Sequence, residues 1–278
     1  MLSLLRAEAL KIGGNRKATW PLIWIYPAGA LVVLLIAGAV DVWQDSRGLN
    51  PAEAPETAQS WMETWQAVWM VPEGVRFLMV AFAAVVFGGE YGWNTWKLVA
   101  PHRGRVALML SKHLSAVGWL MAGYVAMALT WVIGATALGY IMGEPPPEGV
   151  RIDALLAGQV KGALHTLAIV LVTVAMVSAL AVATRSTVAA LLLGIALLAA
   201  EPFVAPRLAK VHDLLFRAAP GTALSNLQSW IFAGQALPLP TPDGPVADSW
   251  VFSLTVLIAW TAVLGGLSIA LFRRQDLN

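Results

Sequence analysis

Cysteine is absent from the 278 residues. Disulfides and thiolate metal sites are therefore excluded, and the redox compartment stays unread. Charge is scarce. Asp, Glu, Lys and Arg together make up 12%, about half the share found in a soluble domain and too little to cover the surface of one. The four histidines, His102, His113, His165 and His212, are scattered, and none sits in an H-E-x-x-H frame, so no metal site is expected. No glycine-rich loop of the form G-x-x-x-x-G-K-[ST] occurs, so no ATP-hydrolysing apparatus is expected on this chain. No nucleophile–base pair or paired carboxylates stand out, and no catalytic residue is assigned. The expectation is a chain that is not an enzyme by itself, with no cofactor of its own and no nucleic acid among its partners.

What is present is apolar and comes in long runs. The hydrophobic fraction is 58%, and several segments reach the roughly 20 apolar residues needed to cross about 30 Å of hydrocarbon. Backbone polar groups in lipid must be paired internally, so such runs must be helical. The sequence predicts an all-α membrane protein with six spans, near 20–40, 75–89, 113–142, 157–184, 188–203 and 250–272. Pro202 and Pro206 are expected to break the fifth span at its end. Residues 1–19 hold Arg6, Glu8, Lys11, Arg16 and Lys17, too polar for the core of a cleaved signal. They read as an interfacial helix before a retained first span. The whole chain reads as one transmembrane domain: residues 1–19 interfacial, 20–272 carrying the spans, and 273–278 a cytoplasmic tail.

Orientation follows from the basic residues. With both termini in the cytoplasm, that side holds eleven basic residues and three acidic ones, and the other side seven basic and thirteen acidic. On the outer side, Trp61, Trp65 and Trp69 recur every four residues and share one helical face. The bland reading of that face is an interfacial helix among lipid headgroups; a substrate-binding aromatic face is the alternative. Residues 143–149 form a stiff Pro-rich turn. In the long outer segment 207–249, the apolar stretch Gly221 to Phe232 is too short to span and suits a re-entrant or interfacial helix. Charges near the outer ends of spans are few. Lys161 and His165 lie four apart in the fourth span and Glu201 lies in the fifth, beside Phe203. Snorkelling to the interface is their simple reading, and a substrate path or outer gate is the sharper one. The pairs Gly13-Gly14 and Gly88-Gly89 read as helix ends or close packing.

The segment from Glu90 to Lys112, EYGWNTWKLVAPHRGRVALMLSK, joins the second and third spans and is longer than a passive turn requires. It is rich in Trp, Gly and basic groups. Two readings stay open from its residues alone: a docking feature for a cytoplasmic partner, or a positive-inside anchor with interfacial tryptophans.

This stretch resembles the inner loop of the type-2 ABC transporter permeases. That family carries a glutamate at the end of the second span, a G-x-x-T pattern, a proline, an arginine and a lysine. Here these are Glu90, Gly92, Thr95, Pro101, Arg103 or Arg105, and Lys112. The Asn94-Thr95-Trp96-Lys97 wording is similar to the small permeases of the bacitracin-resistance and lantibiotic-immunity type, although His102, Trp93 and Trp96 depart from a uniformly basic loop. Residues Leu5 to Lys11, with Glu8 and Lys11 one turn apart, resemble the family's amphipathic entry helix. Pro220-Gly221-Thr222-Ala223-Leu224 resembles its proline-led outer hairpin.

The resemblance implies an exporter subunit working beside a dimer of cytoplasmic ABC ATPases, which bind ATP and Mg. It implies pairing with a second permease copy or paralogue in the lipid of a bacterial cytoplasmic membrane. The expected substrate is a peptide or another amphipathic molecule. It implies a coupling role for Glu90, Gly92, Trp93, Thr95, Trp96, Pro101, Arg103, Arg105 and Lys112, with Arg6, Glu8 and Lys11 on the entry helix. Two other functions are weighed against it. One is a membrane anchor that docks proteins without translocating anything. The other is a proton-coupled transporter dependent on Glu201.

Overall fold

The computed structural model describes residues 2–48, 57–92, 104–241 and 244–275. The chain is an all-α membrane protein. Its helices are α1 (Leu2–Gly14), α2 (Thr19–Ser46), α3 (Ala58–Gln66), α4 (Val71–Gly74), α5 (Arg76–Gly92), α6 (Arg105–Met142), α7 (Ile152–Thr184), α8 (Thr187–Ala209), α9 (Asp213–Arg217), α10 (Pro220–Phe232) and α11 (Trp250–Arg274). A 3₁₀ turn, Ala67–Met70, joins α3 to α4. The strands β1 (Pro238–Thr241) and β2 (Gly244–Ala247) pair antiparallel, with Leu239 opposite Val246.

Five helices, α2, α6, α7, α8 and α11, are long and apolar enough to cross a membrane. A sixth crossing exists if α3–α4 and α5 are taken as one span, bent by 52° between Gly74 and Arg76. The bend has a local cause: Val75 leaves the helical region, with φ −110° and ψ 23°. At a rise of 1.5 Å per residue, α5 alone covers only about 25 Å, a little under the hydrocarbon thickness.

The helices are not equivalent. The most apolar stretch of α7 is 67% buried, against 28% for α2 and 11% for each of α6, α8 and α11. So α7 is the central post, and α5, α6, α8 and α11 pack around it. Its buried face is built of small residues such as Ala168, Ala175, Ala179 and Ala181. Membrane helices associate through such close packing, because lipid supplies no hydrophobic drive between them. The outer helices turn large apolar side chains outward; Leu31, Val32, Val33, Leu35 and Ile36 of α2 are all about half exposed or more. A patch of that kind is a liability in water and costs nothing in lipid.

Several boundaries differ from those expected of the sequence. The third span's helix starts earlier than expected: α6 begins at Arg105, just after Gly104, so residues 105–112 of the preceding connection are helical. At about 57 Å, α6 exceeds the hydrocarbon thickness, so its first two turns can stand outside lipid. The fifth span does not end at its prolines. α8 runs through Pro202 and Pro206 to Ala209, and Arg207 Nη1 donates to the Phe203 carbonyl at 2.8 Å to close its last turn. The supposed headgroup face of α3 also turns inward: Trp65 and Trp69 are buried. Trp69 Nε1 donates to Gln159 at 2.7 Å, and Gln159 Nε2 donates to the Trp65 carbonyl at 3.2 Å. Gly158 and Gly162 of α7 make the groove, since a Cβ at either would collide with Gln66 or Trp69. The short helix expected over Gly221 to Phe232 is α10, begun one residue earlier by Pro220. Residues 93–103 and 276–278 lie outside the described residues.

The α7–α8 turn is tight. Thr184 is followed by Arg185 in the left-handed region, φ 53°, and Ser186 caps α8 by accepting from the Ala189 amide at 3.2 Å. On α5, Gly88 lies against the α8 start, where a Cβ would fall 2.6 Å from the Thr187 Cα. That contact is with backbone and cannot rotate away. Gly118 of α6, by contrast, faces open space. Gly88→Ala is expected to cost about 1–3 kcal/mol through overpacking, read as a lowered Tm of the detergent-solubilised chain. Gly118→Ala is expected to leave Tm unchanged or slightly raised, since alanine is the better helix former.

Candidate functional site

The end of the bundle that carries α1, the start of α6 and the end of α11 holds a buried charge cluster drawn from three helices. Lys112, two turns into α6, is 2% exposed. Its ammonium donates to Glu90 Oε1 at 2.7 Å and to the Val86 carbonyl at 3.2 Å. Glu8 Oε2 lies 3.3 Å from the same nitrogen, an ion pair without hydrogen-bond alignment. Lys11 donates to Glu90 from its half-exposed position on α1. Two carboxylates and two ammonium groups thus balance in charge. A buried charge is tolerated when its partners replace the water it loses. A cavity of about 30 Å³ adjoins Lys112, Glu90 and Lys11, polar and roomy enough to admit water.

Neutral contacts seat α1 beside this cluster. Trp119 Nε1 donates to the Ala9 carbonyl at 2.9 Å, and the Ser115 hydroxyl to the Leu5 carbonyl at 3.3 Å. Gly13 rests on the Trp119 indole with no room for a Cβ. The Thr19 hydroxyl donates to the Ile12 and Asn15 carbonyls, tying α1 to α2. The end of α5 is fastened in turn to α11 and α7. Tyr91 donates to Gln275 at 2.9 Å, and Gln275 Nε2 donates to the Val182 carbonyl at 2.6 Å. Arg105 Nη1 donates to the carbonyls of Arg273 and Gln275, both at 2.8 Å, and so caps the last turn of α11. Cations are favourable at a helix C-terminus, where the last carbonyls lack internal partners.

Of the residues singled out in the sequence, Glu90, Lys112, Glu8 and Lys11 are brought together. Glu8 and Lys11 do not pair with each other along α1; each reaches another helix. Lys112 is buried rather than presented to a partner, and Arg105 is engaged with α11. Arg6 and Gly92 are exposed. Trp93, Thr95, Trp96, Pro101 and Arg103 lie outside the described residues. The sequence reading passed over Tyr91, Trp119 and Gln275, which complete the network.

At the opposite end Arg76 Nη1 pairs with Glu201 Oε2 at 3.1 Å, across 125 positions of sequence. Glu201 therefore does not snorkel. The four residues proposed for an outer gate do not assemble. Phe203 is 68% exposed and Lys161 is exposed. His165 is fully buried and meets the edge of Phe232, 6.0 Å between ring centres. A second lock closes this end: Arg217 Nε donates to both Asp248 carboxylate oxygens, at 2.9 Å and 3.0 Å, and Nη2 donates to Oδ1. That hydrogen bonding raises the Arg217 pKa further above its ordinary value. Asn226 donates to the Asp248 carbonyl at 3.0 Å and to Ser253 at 2.8 Å, fixing α10 to the start of α11.

No known protein family model and no curated protein matches the chain.

The cluster predicts coupled energetics. Glu90→Gln leaves Lys112 short of its best partner and is expected to cost about 3 kcal/mol. Lys112→Met is expected to be comparably destabilising, because it strands Glu8 and leaves Glu90 with Lys11 alone. The double variant should fall short of the sum by at least about 1 kcal/mol. Reversible unfolding of the four species in detergent measures the cycle, and strict additivity would show that the two groups do not act together.

Proposed function

We propose that the chain is the membrane-spanning subunit of an ATP-driven bacterial exporter, working with a separate cytoplasmic ATPase dimer and a second permease copy or paralogue. The site acts as a mechanical joint, with no bond-making chemistry of its own. The observation that carries this reading is the Glu8–Lys11–Glu90–Lys112 cluster, which ties α1 to the end of α5 and the start of α6. A push on α1, or on the connection between Gly92 and Gly104, is passed to two membrane helices at once. A two-state membrane element needs such a differential contact if a soluble partner is to bias it. The excess of basic residues on the side that carries the termini supports a cytoplasmic orientation of this joint in a bacterial inner membrane. The exported molecule is amphipathic, a peptide or a smaller compound.

The resemblance of residues 90–112 to type-2 ABC permeases supports the same reading. The anchor reading shares the docking surface but needs no joint into α5 and α6. The proton-coupled reading rests on Glu201, whose carboxylate is taken up by Arg76.

Two measurements test the proposal. The tagged chain, solubilised gently from its own host, is expected to bring down a cytoplasmic ATPase in near-stoichiometric amount. Purification of the chain alone, under conditions that preserve comparable complexes, would overturn the proposal. In the reconstituted complex, Glu90→Ala is expected to leave ATPase assembly intact and to reduce substrate-stimulated hydrolysis by about tenfold or more. Full retention of stimulated turnover would remove Glu90 from coupling.

A further inference from the structure

A cavity of about 750 Å³ opens at the end of the bundle opposite the joint, between the α4–α5 bend, the last turns of α8 and the start of α10. Its volume lies in the range of sites for drug-sized ligands, about 300–1,000 Å³. Three charges stand in its wall: Glu73, Arg76 and Glu201. The rest is mainly apolar, with Phe77, Ile195, Leu198 and Phe216 among the lining side chains.

The charges do not cancel. Arg76 pairs with Glu201 at 3.1 Å and also attracts Glu73 at longer range, so two carboxylates share one guanidinium. One negative charge is thus left over in a mostly apolar, partly buried wall. The Arg76 side chain leaves a donor unused as well. Its Nε is buried without a hydrogen-bond partner among the described residues, and such an orphan has an energetic cost unless a ligand or water accepts from it. The geometry around Glu201 is built closely. A Cβ on Gly221 would overlap the Glu201 carboxyl end, so any larger residue there would displace the carboxylate that meets Arg76.

We infer that this cavity binds an amphiphile whose head carries an ammonium group beside an oxygen acceptor. The ammonium pairs with the carboxylate of Glu73, the acceptor takes the Arg76 Nε–H, and one alkyl chain lies along Phe77, Ile195 and Leu198. A whole folded peptide exceeds the cavity. A phospholipid with an ethanolamine head and a free long-chain amine share this chemistry. The inference concerns the cavity alone and stands whether or not an ATPase partners the chain.

The test needs neither ATP nor a partner. Full-length chain in phosphatidylcholine nanodiscs is dialysed against radiolabelled sphingosine, an amino-alcohol amphiphile, with empty nanodiscs subtracted. Saturable binding at one site per chain is expected. Glu73→Gln is expected to weaken it about tenfold, and Gly221→Ala, which crowds Glu201 without changing any charge, to weaken it as well. Glu63→Gln, which alters an exposed acid on α3 outside the cavity, is expected to leave it unchanged. Dodecanol, which lacks the ammonium, is expected not to compete. Matching melting temperatures across the variants show that each is folded. Adding phosphatidylethanolamine to the nanodiscs separates the two sources: competition identifies a lipid occupant, and undiminished sphingosine binding a free amphiphile. Binding that is unsaturable, or equal for dodecanol and indifferent to both Glu73→Gln and Gly221→Ala, would overturn the inference.

Discussion

Lys112 stands two turns inside a helix and is almost entirely buried, so its ammonium must be answered from within the protein. Glu90, Glu8 and the Val86 carbonyl do so, and Lys11 completes the charge balance. The position of α1 follows from this requirement. An amphipathic helix held only by lipid would slide along the interface. Here Glu8 projects inward to meet Lys112, while Trp119 and Ser115 fix the backbone of α1 alongside. The ends of α5 and α6 are held together by the same charge, and Tyr91 and Gln275 extend the connection to α7 and α11. One buried cation therefore sets the relation of most helices at this end of the molecule.

The far end obeys a different rule. Its ion pairs, Arg76 with Glu201 and Arg217 with Asp248, are less deeply buried and join segments whose backbone is irregular: a bent span, a helix carrying two prolines, short helices and a small hairpin. Irregular backbone needs polar groups to complete it, and Asn226 and Trp230 supply them: both donate to the Asp248 carbonyl, and Asn226 Oδ1 accepts from the Leu237 amide. Rigid packing at one end and an irregular, cavity-bearing assembly at the other give the molecule a mechanical polarity.

The crossing helices were legible because hydropathy is a local signal. The all-α class, the α10 helix and the close packing at Gly88 and Gly13 were read from runs and spacings alone. Depth in the bundle was not legible. The stretch of α7 that is most buried also has the highest mean hydropathy, 2.5, yet α2 and α8 reach 2.2 while facing outward; lipid and protein core present the same solvent to a leucine. The Trp61–Trp65–Trp69 face was misread for this reason, since the Gly158 and Gly162 groove that receives it lies about 90 positions further along the chain. The ion pairs were hidden for the same cause. Glu90 and Lys11 are 79 positions apart, and Arg76 and Glu201 are 125 apart, so no local pattern marks either pair. At Lys112 the sequence offered a basic residue at the inner end of the third span; its burial between Glu8 and Glu90 could not be read from spacing.

The central place of α7 bears on biogenesis. A helix that enters a bilayer through the translocon is first surrounded by lipid, and α7 carries Thr166, Thr173 and His165 on the face that is buried in the finished bundle. Their final neighbours include α10 and α11, which are synthesised later. The ribosome must therefore deliver α7 to the membrane with part of its polar seam uncovered, and the chain acquires its mature interior only when α11 docks.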